Sequence, residues 1–241
     1  MVRPGESGDG HGWMCGPTAE GTQMTLGVEE EKRLVAEAAV ELVQNGMTLG
    51  LGTGSTVAYL LSALARRRLT LRCVATSPRT EQAARGLGLR IEAFEGIARL
   101  DMAIDGADQI TPDGWLVKGG GGAHTREKLV AITAERFVVI ADSTKPVGNL
   151  HAPVPLELLA FGLSSTLHRL THAVLRDVPA SPDGGRIADF IGEVGDPRLL
   201  ATRLSTTPGV VEHGLFPPEL VERVLVARQD EVETTLISHA G

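Results

Sequence analysis

The chain has 241 residues, of which 42% are hydrophobic, 3% aromatic and 22% charged, and its formal net charge is −7. This length suits one large domain or two small ones, and the apolar content is sufficient to fill a core, which excludes a wholly disordered chain. Net acidity and few aromatic side chains argue against a nucleic-acid-binding protein, and charged residues interrupt every apolar run before it reaches the ~20 residues of a membrane-spanning helix.

The first 24 residues differ in composition from the rest of the chain. They are rich in Gly, Ser, Thr and Pro and show no apolar periodicity. They also lack the apolar run of roughly 7–15 residues that marks a secretory signal. We therefore predict a flexible tail over residues 1–24.

From Val28 onward, short apolar runs alternate with segments of helical periodicity. The predicted strands of this region are 47–51, 71–75, 102–104, 115–117 and 137–141, and the predicted helices begin near Glu29, follow Gly54, and cover 80–87 and 125–135. Strands that alternate with helices indicate a parallel sheet with helices on both faces, which binds ligands at the carboxyl ends of its strands. We predict an α/β, Rossmann-like fold with a mostly parallel sheet.

Beyond Asp142, prolines and glycines divide the chain into shorter pieces. Strands are predicted over 173–176, 186–191 and 210–215, with a helix over 197–204, and the run 221–227 is a candidate for a strand that returns to the large sheet. These pieces predict a smaller α+β lobe. The expected domains are a large catalytic domain, 25–150 plus about 219–241, and a small domain, 151–218.

A loop that suits a phosphate group follows the first predicted strand. Gly50-Leu-Gly-Thr-Gly-Ser-Thr56 leads into a helix, whose free N–H groups, together with the hydroxyls of Thr53, Ser55 and Thr56, can bind an anion. A dinucleotide site fits poorly, since Ser55 replaces the third glycine and no acid follows the next strand. A nucleotide P-loop is excluded because no Gly-Lys-Ser/Thr follows. A turn that only connects the two elements remains the alternative.

Two carboxylates lie close together after the strand at 102–104. Asp105 and Asp108 flank Gly106, which permits a tight bend. Carboxylates that share a site titrate as a pair, and this suits the handling of protons. A solvated turn or a helix cap is the alternative.

Lys118 and four consecutive glycines, residues 119–122, follow another predicted strand. Each glycine loses much backbone entropy on folding, so a run of four makes a poor scaffold. Successive N–H groups can instead form an anion-binding nest beside the positive charge of Lys118. A flexible linker is not favoured because a strand and a helix flank the loop.

The next helix opens with Glu127 near its first turn, where the helix dipole favours the ionised carboxylate. A carboxylate beside a glycine nest is a candidate general base, although glutamate is also common at helix starts. Lys145 follows the strand at 137–141 and is expected to reach the same anion.

These loops form a set that resembles type A ribose-5-phosphate isomerase. The matching stretches are GLGTGST (50–56), DGAD (105–108), KGGGGAHTREK (118–128) and ADSTK (141–145), within a resemblance from about Val28 to about Val226. The resemblance implies an aldose–ketose isomerase that interconverts ribose 5-phosphate and ribulose 5-phosphate in the pentose phosphate pathway, without a metal or an organic cofactor. It also implies a homodimer or homotetramer. The low cysteine count favours a reducing, cytoplasmic location.

The resemblance implies a role for each site residue. Glu127 is the base that moves a proton between C2 and C1 through a cis-enediol(ate), and Lys118 supports the negative oxygens. Asp105 carries protons during ring opening and between the sugar oxygens, and Asp108 orients hydroxyls. The substrate-binding residues that it implies are Thr53, Gly54, Ser55, Thr56, Asp105, Gly106, Ala107, Asp108, Lys118, Gly119, Gly120, Gly121, Lys145 and Lys32.

Four features depart from the family pattern, the first of which is the tail 1–24, which has no counterpart in the family. His124 occupies a place where an uncharged residue is expected, so that it either touches the site or caps the helix. The lobe around residues 174–189 is short, and residues 228–241 match poorly.

Other functions are less well supported by the residues. His168 and His172 are four apart on a predicted helix, but no third metal ligand is evident. The cysteines, Cys15 and Cys73, are too few for a disulfide framework or a four-ligand zinc site, and Cys73 is expected in the core. The functional alternatives are a sugar-phosphate-binding regulator, for which a DNA-binding segment is missing, and a related deaminase or lactonase.

Overall fold

A computed structural model describes residues 27–238 of the chain. The predicted tail, residues 1–24, and Cys15 lie outside the described residues. The helices are α1 Val28–Val40, α2 Ser55–Arg67, α3 Pro78–Gly86, α4 His124–Thr133, α5 Leu163–Leu170 and α6 Pro197–Ser205. The strands are β1 Thr48–Leu51, β2 Arg72–Ala75, β3 Met102–Gly106, β4 Gln109–Ile110, β5 Leu116–Val117, β6 Phe137–Asp142, β7 Val154–Leu158, β8 Ala173–Leu175, β9 Arg186–Phe190, β10 Val210–His213, β11 Leu215–Phe216, β12 Arg223–Arg228 and β13 Glu231–Leu236.

The largest sheet has six strands in the order β13-β12-β6-β3-β1-β2. All neighbours pair in parallel except the edge strand β13, which is antiparallel to β12. Alternate residues of β6 contribute to different cores: Ile140 packs in the core that contains α1 and α2, and Val139 packs in the core that contains α4. The predicted α/β, Rossmann-like sheet with helices on both faces is confirmed.

The C-terminal part of the chain completes this sheet. The predicted return of 221–227 is confirmed, because β12 pairs with β6 from Arg223 to Ala227. A tight turn at Gln229, with φ of 56°, then leads into β13. This last strand was not predicted, since it is largely exposed and carries no apolar run that would distinguish it from a loop.

The smaller α+β lobe is a four-stranded antiparallel sheet, in the order β10-β7-β9-β8, packed against α5 and α6. Its central strand β7 was not predicted. Val154, Leu156 and Leu158 face the core at alternate positions, as expected of a strand, but Pro155 between them argues against a strand. The predicted strand 210–215 is wrong as a single element: Gly214 divides it between β10 and β11, which belong to different sheets. The division of the chain into two domains stays a prediction.

A three-stranded sheet, β11-β5-β4, lies between the two larger ones. The N–H of Lys118, directly after β5, donates to the carbonyl of Gly214 at 2.8 Å. A Cβ at Gly214 would lie 2.2 Å from the carbonyl oxygen of Lys118, so a glycine is needed there. This sheet therefore fixes the backbone at Lys118.

Two further sequence expectations concern histidine and cysteine. His172 lies beyond the end of α5, where its ring meets Phe190 edge-on, so His168 and His172 do not share a helical face. Cys73 is fully buried in β2, as predicted for a core residue. None of the helices within residues 27–238 is both long and apolar enough to cross a membrane.

Candidate active site

The N-terminus of α2 opens onto a cavity at the carboxyl end of β1. Gly54 is the N-cap and offers no side chain to the first turn, so the orphan N–H groups of Ser55 and Thr56 stay available. Both residues line the cavity, together with Thr53 and Gly54. A helix N-terminus without a side-chain cap is suited to a phosphate group, as the sequence predicts.

The hydroxyl of Thr53, however, forms hydrogen bonds within the protein. It bonds to the hydroxyls of Thr76 and Ser77, both at 2.8 Å. Thr80 extends the same group of hydroxyls and donates to the carbonyl of Gly52 at 2.9 Å. Thr53 thus serves to anchor the loop, whereas the hydroxyls of Ser55 and Thr56 have no hydrogen-bond partner within residues 27–238. Sequence reasoning missed Thr76, Ser77 and Thr80, whose one signal is a run of hydroxyl residues at the carboxyl end of a strand.

Asp105 is buried beneath this loop at the end of β3. Its Oδ1 accepts from the N–H groups of Thr53 at 3.1 Å and Gly106 at 2.7 Å. A Cβ at Gly52 would lie 1.8 Å from the same oxygen, so only glycine permits the close approach of the two loops. Asp105 is 3% exposed and is not among the residues that line the cavity.

Lys118 joins Asp105 to Glu127 in one buried cluster. Its Nζ lies 2.9 Å from Oδ2 of Asp105 and 3.1 Å from Oε2 of Glu127, and it donates to the carbonyl of Gly106 at 2.5 Å. The ammonium also lies 5.4 Å from the ring centroid of Phe216. Burial alone would lower the pKa of Lys118, but the two carboxylates raise it, so the ammonium stays charged. The cluster therefore holds one positive charge between two acidic groups.

Glu127 lies in the first turn of α4, as predicted, and lines the cavity. Burial, followed by the negative charge of Asp105, raises its pKa to about 8, although Lys118 acts in the opposite direction. The sequence expectation considered only the helix dipole, which favours the ionised form, whereas burial favours the neutral form of this carboxyl group. Oε2 of Glu127 is buried 3.1 Å from the ammonium of Lys118, and no other donor reaches it within residues 27–238.

The two acids of the pair differ in their surroundings. Burial also raises the pKa of Asp105, but Lys118 and the N–H groups of Gly106 and Thr53 oppose this effect. Asp105 is closer to the ammonium than Glu127 and accepts two backbone hydrogen bonds. The two acids therefore titrate as a coupled pair, in which the ionised form of Asp105 has the stronger support.

Residues 119–122, the glycine loop, form one wall of the cavity. Gly119 has φ of 100° and Gly122 has φ of 73°, and the N–H of Gly122 closes a turn on the carbonyl of Gly119 at 2.9 Å. The N–H of Gly120 donates to Oδ2 of Asp108 at 2.8 Å, which links two of the predicted motifs. Gly119, Gly120, Gly121 and Asp108 all line the cavity.

His124 packs beneath the glycine loop as the first residue of α4, so it is not the cap, which is Ala123. A Cβ at Gly119 would lie 2.6 Å from its Nδ1. Its ring is fully buried, and neither nitrogen has a partner in the described part of the chain. Burial lowers the pKa of His124 to about 3, so the ring is neutral. It supports the loop without lining the cavity.

Lys145 lines the cavity from the end of β6, and its ammonium has no ion-pair partner among residues 27–238. Gly106 and Ala107 line the cavity too. Lys32 does not: it lies on α1 with its ammonium 2.6 Å from Oε1 of Glu29. With a volume of about 160 Å³, the cavity suits a small polar ligand rather than the larger ones that fill typical pockets.

An α/β fold with a buried cluster of two acids and a lysine beside one cavity, which Lys145 also lines, is typical of an enzyme. No group of three or more His, Cys, Asp or Glu side chains arranged to hold a metal occurs in residues 27–238. Residues 72–231 match the family described as Ribose 5-phosphate isomerase A (phosphoriboisomerase A). The chain belongs to this family.

Individual relatives support the same assignment over most of the chain. Ribose-5-phosphate isomerase A of Methanosarcina acetivorans is 43% identical over 201 residues, which cover 77% of this chain and 86% of the relative. The crystal structure of ribose 5 phosphate isomerase A from Neisseria gonorrhoeae superposes with a TM-score of 0.85 at 28% identity, covering 89% of this chain and 100% of that one. A D-ribose-5-phosphate isomerase in complex with phospho-erythronic acid gives a TM-score of 0.83 at 30% identity, with coverage of 88% and 100%.

Proposed function

We propose that this chain interconverts D-ribose 5-phosphate and D-ribulose 5-phosphate through a cis-enediolate, with Glu127 as the general base. The observation that carries the proposal is the carboxyl group of Glu127, which lines the cavity and has its Oε2 3.1 Å from the ammonium of Lys118. Family membership supports the same reaction.

In the forward direction the ionised Glu127 removes the proton from C2 of the open-chain aldose. The C–H electrons form the C1–C2 double bond, and negative charge moves to the oxygen on C1. Lys118 and the N–H groups of Gly119 and Gly121 lie where they can stabilise this charge. After a proton moves from the oxygen on C2 to the oxygen on C1, Glu127 returns its proton to C1 and the ketose forms.

Asp105 and Asp108 have supporting roles in this proposal. Asp105 is the proton carrier for ring opening and for transfer between the sugar oxygens, and its contact with Nζ favours a second role, that of holding Lys118 in place. Asp108 lines the cavity and orients sugar hydroxyls. Assembly as a dimer or tetramer, a cytoplasmic location and a phosphate-binding role for Lys32 stay predictions.

Capture of the phosphate is assigned to the N-terminus of α2 and to Lys145, which line the same cavity. The relative that binds phospho-erythronic acid supports a site for a phosphorylated sugar derivative. Neither a regulator without turnover nor a deaminase is favoured, because the Lys118–Glu127 pair is arranged for proton transfer.

The proposal is tested by incubating the purified protein with ribose 5-phosphate and measuring ketose formation, with and without a chelator. Turnover should be insensitive to the chelator. In heavy water, solvent deuterium should enter the product carbon, because the proton on Glu127 exchanges with solvent in the enediolate state. Ketose formation without any solvent deuterium would instead indicate a direct hydride shift and contradict the role of Glu127.

The rate should depend on pH through Glu127. Because the base must be ionised and burial raises its pKa to about 8, kcat/KM is expected to fall by nearly tenfold per unit as the pH decreases below about 8. The measurement is kcat/KM between about pH 6.5 and 9, above the second pKa of the phosphate, which is near 6. A profile that is flat over this range would show that Glu127 is already ionised at neutral pH.

Lys145→Ala should weaken binding of the phosphorylated substrate. Loss of one charge-assisted contact is expected to raise KM about tenfold to a hundredfold, with a smaller effect on kcat. Inhibition by inorganic phosphate should weaken in parallel. The control is Arg66→Ala, which removes an exposed positive charge paired with Glu37. Unchanged phosphate inhibition in Lys145→Ala would contradict the assignment.

A further inference from the structure

The glycine loop needs an external support to keep its N–H groups in one direction. Gly120 and Gly121 are exposed, and only the turn between Gly122 and Gly119 stabilises the loop internally. Glycine peptides have several accessible orientations of similar energy. Because the peptide bond is planar, the carbonyl of one residue and the N–H of the next point in opposite directions. A group that holds the carbonyls therefore also aims the N–H groups.

Arg176 holds two of these carbonyls from the small lobe. Its Nη1 donates to the carbonyl of Gly120 at 2.9 Å and to that of Gly119 at 3.2 Å. The N–H in the same peptide plane as the Gly119 carbonyl belongs to Gly120, and it donates to Asp108. The N–H in the same plane as the Gly120 carbonyl belongs to Gly121, and it has no acceptor in the part of the chain that the structure describes. Arg176 thus turns this free donor away from the small lobe.

Asp189 fixes Arg176 in this position. Its two oxygens accept from Nη2 at 2.6 Å and Nε at 2.7 Å, the two-point contact that suits a guanidinium best. The backbone N–H of Arg176 donates to the carbonyl of Ile187 at 2.9 Å, so both partners belong to the β8–β9 hairpin. The pair is mostly buried and carries no net charge. Its effect on the site is therefore geometric and not an added attraction for the phosphate.

We propose that Arg176, held by Asp189, is a positioning residue that orients the N–H groups of the glycine loop for the developing oxyanion. The inference rests on the proposed isomerase function and deepens it, because it connects the small lobe to the step at which negative charge appears on the sugar oxygen. Arg176 lies outside the four sequence motifs, and it makes no contact with the cavity itself.

Loss of the contact should reduce kcat more than it changes KM. A misdirected donor fails to stabilise charge that is present only in the transition state, so Arg176→Ala is expected to lower kcat about tenfold to a hundredfold. KM should change by less than about threefold, because the N-terminus of α2 and Lys145 still hold the phosphate. Lys145→Ala is expected to show the opposite pattern, with a large change in KM and a smaller one in kcat.

The experiment compares kcat and KM of the full-length wild type with those of Arg176→Ala, Arg176→Lys and Asp189→Asn. Arg176→Lys keeps the charge but not the planar fork, so it should stay well below the wild type, and Asp189→Asn should show an intermediate loss. The matched control is Arg126→Ala, which breaks another two-point pair between α4 and the small lobe, with Asp183, without touching the glycine carbonyls. A wild-type kcat in Arg176→Ala, or an equal loss in Arg126→Ala, would overturn the proposal.

Amide hydrogen exchange separates this inference from the proposed function. The N–H groups of Gly120 and Gly122 are hydrogen-bonded, and their protection should fall in Arg176→Ala but not in Arg126→Ala. Should the wild type fail to isomerise ribose 5-phosphate, the proposed function fails while exchange still reports on the loop. Unchanged protection in Arg176→Ala would overturn the positioning role whether or not the enzyme is active.

Discussion

Glu127→Gln is expected to give a folded protein that isomerises ribose 5-phosphate at least ~10²-fold more slowly, the lower limit of a positioned acid–base contribution. Glutamine has the same shape and fits the same buried site, but it cannot accept the C2 proton. Ketose formation measures the loss, and deuterium uptake from solvent should disappear in the same proportion. Near-normal turnover in this variant would remove Glu127 from the mechanism.

The matched control is Glu81→Gln. Glu81 also lies in the first turn of a helix, α3, but it is exposed and paired with Arg85. Its loss should leave turnover unchanged, because it has no contact with the cavity. The comparison separates the effect of removing the base from that of removing any first-turn carboxylate.

The same substitution should stabilise the fold at alkaline pH. Folding raises the pKa of Glu127 from 4.5 to about 8, so the folded protein binds a proton that the unfolded chain releases. The cost of ionising Glu127 in the folded state therefore grows from about pH 4.5 to about pH 8 and then stays constant. Thermal unfolding should give Glu127→Gln a higher Tm than the wild type near pH 9 and an equal Tm near pH 4. A lower Tm near pH 9 would contradict the raised pKa.

Lys118→Met is expected to have the largest effect on stability. The ammonium is 3% exposed and is the one cation within ion-pair distance of both Asp105 and Glu127 among the described residues. Removing one partner of a buried ion pair costs about 3–5 kcal/mol, since the remaining charge is left without compensation. For a chain of this size that corresponds to a decrease in Tm of roughly 6–20 °C near pH 8. Isomerisation should be lost as well, because no cation remains beside the enediolate.

The loss of stability in Lys118→Met should be smaller near pH 5, where both carboxyl groups can take up protons. Should the single variant fail to fold, Lys118→Met combined with Asp105→Asn and Glu127→Gln removes all three charges together. This triple variant should recover much of the stability and none of the activity. A Tm of Lys118→Met within about 2 °C of the wild type near pH 8 would contradict the electrostatic account, since it corresponds to less than about 1 kcal/mol.

Local sequence patterns were sufficient to predict the sheet and most of the cavity. Asp105 lies at the carboxyl end of β3 and Lys145 lies three residues beyond β6, and the carboxyl ends of parallel strands meet at one edge of the sheet. Lys118 and the glycine loop follow β5, which the structure places in the separate antiparallel three-stranded sheet, so for them the expected parallel strand at 115–117 was wrong. These predictions depend only on residues that are neighbours along the chain.

Properties that arise from distant parts of the chain could not be predicted in this way. The raised pKa of Glu127 depends on the burial of α4, which packs against β3 of the large sheet and against β7 and β10 of the small lobe. Arg176 is far from the motifs in sequence and reaches the glycine loop only through the β8–β9 hairpin. The hydroxyl of Thr53 bonds to Thr76 and Ser77, which lie more than twenty residues further along the chain. Local sequence patterns do not reveal these bonds, so they predicted a phosphate-binding role for this hydroxyl.

The backbone hydrogen bond between Lys118 and Gly214 has a consequence for folding during translation. Every candidate catalytic and substrate-binding side chain has been translated once residue 145 emerges, yet the backbone acceptor beside Lys118 belongs to Gly214 and the flanking strand β12 is later still. A nascent chain therefore carries all of its reactive groups for some time before it can assemble them. The observed backbone hydrogen bond at Lys118 can therefore form only after residue 214 has been synthesised.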